Sequence, residues 1–131
     1  MTAGPAPGGP AAKRPVTLST HVLDAVAGQP AAGVAVRLEH LGPDGWSPAG
    51  QGHTSADGRL ALDGRTGSGP GPGFGPGVYR ITFGSGAYFR ALGTPSFYPE
   101  VTITFEMTGG SAHYHVPLLL SPFAYSTYRG S

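Results

Sequence analysis

An all-β sandwich is the fold class that the sequence predicts, and three observations lead to it. About seven or eight short segments are rich in β-branched and aromatic residues, turn residues separate them, and only one short segment could form a helix. The chain has 131 residues, of which 23 are Gly and 14 are Pro, and this composition favours frequent turns. A chain of this length builds one domain, because two domains would leave neither with a sufficient core.

The first half of the chain predicts three strands. Thr17–Asp24 is a short β-favouring run, and in 34–41 apolar residues alternate with Arg37 and Glu39, which is the period of a strand with one buried face. A third strand follows over Trp46–Thr54. The segment Pro43–Gly45 predicts the turn between the second and third strands, since Pro fixes φ and Gly accepts a positive φ.

The middle of the chain contains a turn, a loop and the one helical candidate. Asp57–Gly58 is a strong hairpin signal. Residues 64–77 hold seven Gly and three Pro, which predicts a surface loop. Val78–Phe83 is the next predicted strand, and Gly86–Leu92 could make a short helical turn.

The last third of the chain predicts three more strands. Val101–Met107 shows the clearest alternation of apolar and polar residues in the chain. Further strands are expected near Ala112–Leu120 and Ala124–Arg129. Pro117 lacks an N–H group, which favours an edge position or a bulge at that point.

Charge and composition exclude several classes of function. The formal net charge is +1 and 11% of the residues are charged, with no basic stripe that would indicate a nucleic-acid partner. A weakly charged surface makes self-association plausible. The chain has no Cys, which excludes disulfides, thiolate metal sites and thiol nucleophiles.

The N-terminus and the apolar segments bear on location. Residues 1–16 are mostly Gly, Pro and Ala, so we expect a disordered lead, with an ordered domain over 17–131. The lead has no apolar run of signal-peptide length, and no segment approaches the ~20 apolar residues of a membrane helix. We therefore expect a cytoplasmic protein that does not contact the membrane.

Four places in the sequence could carry chemistry. His113 and His115 are two residues apart in a predicted strand, so both imidazoles face one side, where they could bind zinc, share a proton or be hydrogen-bonded surface residues. His21 lies alone in the first strand. Arg59 follows the Asp-Gly turn, and its planar guanidinium suits a substrate rich in oxygen acceptors. The polar run Ser126–Ser131 ends on a hydroxyl beside the terminal carboxylate.

Four separated motifs, taken together, resemble those of one known family. They are Leu18–Asp24 (LSTHVLD), Thr54–Arg59 (TSADGR), His113–Pro122 (HYHVPLLLSP) and Tyr125–Ser131 (YSTYRGS). In this order they closely resemble the 5-hydroxyisourate hydrolases of the transthyretin-like family, whose signature is the closing Tyr-Arg-Gly-Ser. The resemblance covers 17–131. His53 is a departure, since relatives often carry Lys or Arg there, and it could alter the charge of the site.

The resemblance implies a fold, an assembly and a reaction. The expected fold is a sandwich of two four-stranded sheets with one short helix after the fifth strand. The expected assembly is a homotetramer with active sites in a channel where dimers meet. The expected reaction is hydrolysis of 5-hydroxyisourate to 2-oxo-4-hydroxy-4-carboxy-5-ureidoimidazoline, during conversion of urate to allantoin, with no metal or organic cofactor.

Carried onto this sequence, the resemblance also implies a site. The catalytic set would be His21, Arg59, His115 and Ser131, and the substrate-binding set would be His113, Tyr128 and Arg129. Either His21 or His115 could deprotonate the attacking water, since a His titrates near neutral pH. Arg59 would stabilise the developing negative charge, and Ser131 would supply or relay a hydrogen bond rather than act as a nucleophile.

Three alternatives remain open at this point. A transthyretin-like hormone carrier shares the fold, although transthyretin has Lys in place of His21 and lacks the His-Tyr-His and Tyr-Arg-Gly-Ser runs. A zinc hydrolase could use His21, His113 and His115 as ligands with water in the fourth position. A purely structural β-sandwich module would leave all these motifs without a role.

Overall fold

The computed structural model describes residues 16–64, 73–109 and 111–131. In chain order its elements are β1 (Thr17–Asp24), β2 (Gln29–Pro30), β3 (Ala35–Gly42), β4 (Gly45–His53), β5 (Arg59–Leu62), β6 (Gly77–Phe83), α1 (Ser85–Ala91), β7 (Val101–Met107), β8 (His113–Leu120) and β9 (Tyr125–Thr127). Apart from Val16, the expected N-terminal lead lies outside the described residues, as does most of the expected loop over 64–77.

The first sheet is four strands wide although it contains five strands. β8 runs parallel to β1 along its whole length, and β9 continues the sheet beyond β8. β2 and β5 both pair antiparallel with β1, opposite Leu23–Asp24 and opposite 18–21 respectively. Because β8 occupies one edge of β1, β2 and β5 must share the other edge end to end. The expected width of the sheet is therefore confirmed, with the two-residue β2 as an addition.

The second sheet has the order β4-β3-β6-β7, and all of its pairs are antiparallel. The core lies between the two sheets, and its fully buried side chains include Leu18 and Leu118 from the first sheet and Leu38, Ile81 and Phe83 from the second. Burying one side of each strand accounts for the alternation in the sequence. The predicted all-β sandwich is confirmed.

The predicted short helix is also confirmed, one residue earlier than expected. α1 has seven residues and follows β6, which is the sixth strand only because β2 is counted. Among the described residues, no helix is long and apolar enough to cross a membrane.

The prediction of a hairpin at Asp57–Gly58 is wrong. A tight turn does form, since Gly58 N–H donates to the Ser55 carbonyl at 2.8 Å. However, β4 pairs with β3 in the second sheet, and β5 pairs with β1 in the first. The turn therefore carries the chain from one sheet to the other, and the side chains of Leu60 and Leu62 in β5 lie against Gly52 and Gly50 of β4.

Pro117 does not lie in an edge strand, because β8 has β1 on one side and β9 on the other. The β8–β9 pairing covers Leu118–Leu120 and resumes only at an isolated bridge between His115 and Gly130. Pro117 falls in this gap, where it has no N–H to donate, and its carbonyl accepts a hydrogen bond from the Thr127 hydroxyl at 2.7 Å. The missing donor thus interrupts the ladder, and β9 is shorter than the predicted Ala124–Arg129.

Candidate active site

The outer face of the first sheet gathers four of the predicted site residues. In β1 the residues at 18, 20, 22 and 24 are buried, so the alternate ones point away from the core. His21 lies opposite Arg59 of β5, and on the β8 side Thr17 and Ser19 lie opposite His113 and His115. Paired residues share a face, so His21, Arg59, His113 and His115 project from three strands toward the same side.

A continuous chain of hydrogen bonds connects the two histidines of β8. Nδ1 of His115 and Nε2 of His113 each lie 2.8 Å from the hydroxyl of Ser19. Nδ1 of His113 lies 2.6 Å from the hydroxyl of Thr17. All four side chains come from positions two apart in β1 or β8, so the alternation of two strands builds this chain.

His21 is tied to the turn that carries Arg59. A carbonyl oxygen can only accept, so Nε2 of His21 carries a hydrogen and donates it to the Asp57 carbonyl at 3.0 Å. Gly58 has φ of 75°, and a Cβ there would collide with the Val22 carbonyl of β1. The turn therefore packs against β1 so closely that only Gly fits, and this fixes where β5 and Arg59 begin.

The imidazole of His115 has a lowered pKa. Burial lowers its pKa from 6.5, the positive charges of His113, Arg59 and His21 lower it further, and a hydrogen bond to Ser19 opposes them in part. Its Nε2 atom makes no hydrogen bond within the described residues. His115 is therefore mainly neutral at neutral pH, with Nε2 available for chemistry.

The C-terminal segment is anchored beside His115. Gly130 N–H donates to the His115 carbonyl at 2.9 Å, and a Cβ on Gly130 would collide with the His115 ring. Only Gly allows the chain to pass this close to the imidazole. Ser131 follows directly, so its backbone lies next to His115, and Tyr128 is 61% exposed.

Arg129 is not brought onto the face that carries His21 and Arg59. Its guanidinium lies 4.8 Å above the ring of Tyr114, whose side chain is buried on the core side of β8. Together with Ile103 and Phe105 of β7, these residues line a cavity of about 240 Å³. His115 and Tyr128 line the same cavity, so Arg129 lies near two of the predicted site residues but away from His21 and Arg59.

His53 lies at the end of β4 on the outer face of the second sheet, opposite Ala35. The two layers of the sandwich lie between His53 and His21. The position of His53 in the fold therefore does not support the expectation that it alters the charge of the site.

Sequence reasoning missed four residues that shape the site, which are Thr17, Ser19, Tyr114 and Gly130. Thr17 and Ser19 could have been found, because they share the face of His21 by simple alternation in β1. The role of Gly130 could not, since no local pattern shows which side chain it passes.

A metal centre was one of the alternatives. In the described parts of the chain, no three His, Asp or Glu side chains come close enough together to hold a metal ion. Both ring nitrogens of His113 and Nε2 of His21 are engaged with hydroxyl or carbonyl oxygens. The site is a hydrogen-bonded group of imidazoles beside one guanidinium.

Residues 18–130 match the family model described as the HIUase/Transthyretin family, where HIUase denotes 5-hydroxyisourate hydrolase. The chain belongs to this family. The match spans both sheets and the four motifs, except for Ser131 at the end of the last one. It confirms the resemblance drawn from those motifs.

Individual members of the HIUase/Transthyretin family are similar over most of their length. A 5-hydroxyisourate hydrolase of Salmonella dublin is 44% identical over 114 residues, covering 87% of this chain and 80% of the relative. The structure of Klebsiella pneumoniae 5-hydroxyisourate hydrolase has a TM-score of 0.73 at 37% identity, covering 88% of this chain and 99% of that one. Sea bream transthyretin in complex with thyroxine has a TM-score of 0.76 at 34% identity, covering 86% and 93%.

Proposed function

We propose that this chain is an enzyme that hydrolyses 5-hydroxyisourate in the degradation of urate to allantoin. The observation that carries the proposal is the gathering of His21, Arg59, His113 and His115 on one exposed sheet face. The curated relatives named as 5-hydroxyisourate hydrolases support the choice of substrate. The product is 2-oxo-4-hydroxy-4-carboxy-5-ureidoimidazoline, and the residues of the site act without a cofactor.

The general base in this proposal is His115. Its lowered pKa keeps the imidazole neutral at neutral pH, and Ser19 holds Nδ1 so that Nε2 is the free atom. Nε2 takes a proton from water as the oxygen attacks the carbonyl carbon of the ring. The same atom then returns the proton to the nitrogen that leaves when the C–N bond breaks.

Arg59 and His21 hold the substrate. The Arg59 guanidinium presents a rigid fork of donors to the ring oxygens, and it stabilises negative charge on the carbonyl oxygen as water adds. His21 donates from Nε2 to Asp57, which leaves Nδ1 to contact the substrate beside Arg59. This division leaves His115 with the proton transfer and His21 with orientation.

The C-terminal residues complete the proposed site. Ser131 supplies a hydrogen bond to the substrate or the attacking water from its place beside His115. Tyr128 and His113 border the same face and contribute to substrate binding. Arg129 can join the substrate only by leaving the ring of Tyr114, so its part in binding is the least direct.

We propose a homotetramer in the cytoplasm as the active form. The site face is exposed in a single chain, and a second copy facing it would enclose the substrate and exclude water. We further propose that residues 17–131 form the hydrolase domain and that residues 1–16 are dispensable for activity. A chain that starts at residue 17 should therefore retain full turnover.

The decisive experiment is hydrolysis of fresh 5-hydroxyisourate, generated from urate by urate oxidase and followed by its absorbance decay. We expect the native chain to accelerate the decay strongly and a chain lacking Ser131 to be much slower. A matched control is Ser47→Ala, which removes an exposed hydroxyl from the second sheet. Decay no faster than the spontaneous rate, with metal-free and with zinc-loaded protein, would exclude the proposed activity.

The likeness to transthyretin supplies the main competing outcome. The sea bream protein binds thyroxine on the same fold, and fold alone does not settle function. Titration of this chain with thyroxine tests the carrier alternative directly. Tight binding without hydrolysis of 5-hydroxyisourate would favour the carrier, and hydrolysis without binding would favour the enzyme.

A further inference from the structure

Ser19 lies between two imidazoles but has a single hydroxyl hydrogen. Its oxygen is 2.8 Å from Nδ1 of His115 and 2.8 Å from Nε2 of His113. A hydroxyl can donate to one of these nitrogens only, so it must accept a hydrogen from the other one. The two hydrogen bonds therefore run in the same direction along the chain of groups.

This geometry couples the tautomers of the two histidines. If Nδ1 of His115 donates to Ser19, then Ser19 donates to Nε2 of His113, and a neutral His113 carries its hydrogen on Nδ1. In the reverse direction both neutral rings carry the hydrogen on Nε2. The Thr17 hydroxyl, 2.6 Å from Nδ1 of His113, can accept in the first case and donate in the second. Both neutral rings must hence have the same tautomer.

We propose that Ser19 is a positioning residue that orients His115 as the general base and relays a proton from His115 to His113. This inference rests on the proposed function. In the resting site both rings are Nδ1–H tautomers, so Nε2 of His115 has a free lone pair. The exposed ring of His113 is the far end of the relay.

The proton balance of the relay is simple. Water gives a proton to Nε2 of His115 while its oxygen adds to the substrate carbonyl. The Nδ1 proton of His115 moves to the Ser19 oxygen, and the Ser19 proton moves to Nε2 of His113. The net change is one proton transferred from water to His113, and the reverse sequence returns it through His115 to the leaving nitrogen.

The charges around the two rings favour this direction. His115 faces His21, Arg59 and His113, and their positive charges disfavour a cation at His115. His113 is exposed, and it lines a cavity of about 490 Å³ that opens between β1, β4 and β5. The site therefore disfavours keeping the proton on the partly buried His115, and Ser19 connects that ring to the exposed His113.

The test measures tautomers directly, by long-range ¹H–¹⁵N correlation spectra of the full-length protein at a pH where both rings are neutral. The variants His113→Gln and His115→Gln assign the signals. We expect both rings to be Nδ1–H in the wild type and in Ser19→Thr, which keeps the hydroxyl. In Ser19→Ala, His115 should shift toward the Nε2–H form, while Ser47→Ala should resemble the wild type.

Kinetics supply the second readout. Ser19→Ala should lower kcat at least about tenfold, a part of what general acid–base catalysis contributes, with KM changed less than about twofold. Ser19→Thr should restore most of kcat. A wild-type spectrum with any other pair of tautomers, an unchanged His115 in Ser19→Ala, or an unchanged kcat overturns the inference.

The two proposals fail separately. A wild-type chain that does not hydrolyse 5-hydroxyisourate refutes the proposed function, and the tautomers still decide whether Ser19 couples the rings. A wild-type chain that hydrolyses the substrate with uncoupled tautomers refutes only the relay.

Discussion

His115 owes its chemistry to neighbours that are distant in sequence. Ser19 fixes one ring nitrogen and Gly130 passes against the ring, while burial and nearby positive charge lower its pKa. An isolated histidine would titrate near 6.5 and could rotate freely. At this position the ring is held with one nitrogen available, which is what a general base requires.

The lowered pKa of His115 predicts the pH dependence of the reaction. The base works only when unprotonated, so kcat/KM should rise with pH through the pKa, and the midpoint of the acidic limb should lie below 6.5. The same shift stabilises the folded chain above pH 6.5, and that contribution is lost as pH falls through the folded pKa. Rates measured from pH 4 to pH 8, in steps of about one pH unit or finer, check the first statement.

His53→Gln is the control for this profile, because His53 lies on the other sheet and its loss should leave the limb in place. A midpoint at or above 6.5 in the wild type would show that His115 is not the base.

Arg59→Ala should lower kcat/KM by about 100-fold or more, the loss that follows removal of a charge-stabilising donor from an active site. Arg59→Lys should recover only a part, since an ammonium lacks the planar fork. Arg37→Ala, at an exposed position of the second sheet, is the matched control. Initial rates with 5-hydroxyisourate measure the effect, and near-wild-type kinetics for Arg59→Ala would contradict the assigned role.

At the scale of elements, β1 serves the core and the site at once. Its buried residues at 18, 20, 22 and 24 pack in the sandwich, and Thr17, Ser19 and His21 project from the opposite face. Because side chains alternate strictly, a slip of one residue would exchange the two sets. The parallel pairing with β8 and the antiparallel pairing with β5 therefore fix the core and the site together.

The turn before β5 offers a test of how the sheets position Arg59. Gly58 and Gly28 both have positive φ, but a Cβ at Gly58 would also strike the Val22 carbonyl, whereas Gly28 has open space. Gly28→Ala should cost about 1 kcal/mol of unfolding free energy. Gly58→Ala should cost clearly more and should also reduce activity, because the turn must move away from β1.

Urea unfolding of the two glycine variants, with hydrolysis rates on the same samples, measures this difference. Equal losses of stability with unchanged rates would show that contact with β1 does not position Arg59.

At the scale of the whole molecule, the single chain leaves its site face and several large apolar side chains open. Val26, Phe97 and Phe123 are 72%, 69% and 66% exposed, and only 11% of the residues are charged. Exposed apolar groups on a weakly charged surface favour association. These features support the proposed homotetramer.

Sedimentation velocity should give a mass four times that of the chain. Loss of Ser131 should leave this mass unchanged while it lowers turnover, because the terminal hydroxyl acts in the site. An active monomer would contradict the proposed assembly, and a truncated chain that dissociates would show that Ser131 acts through the interface.

The sequence by itself determined seven of the nine strands that the structure describes, the buried face of the two that alternate most clearly, and that His113 and His115 share a face, but it did not predict β2 or β5. These properties follow from local alternation and turn chemistry. The motifs also pointed to the family and to His21, Arg59 and the C-terminus. Tertiary structure alone decided that Ser19 lies between His113 and His115, that Pro117 is in an inner strand, and that Arg129 lies over Tyr114. Strand pairing depends on burying the core of the whole domain, and no local pattern specifies which distant strand becomes a neighbour.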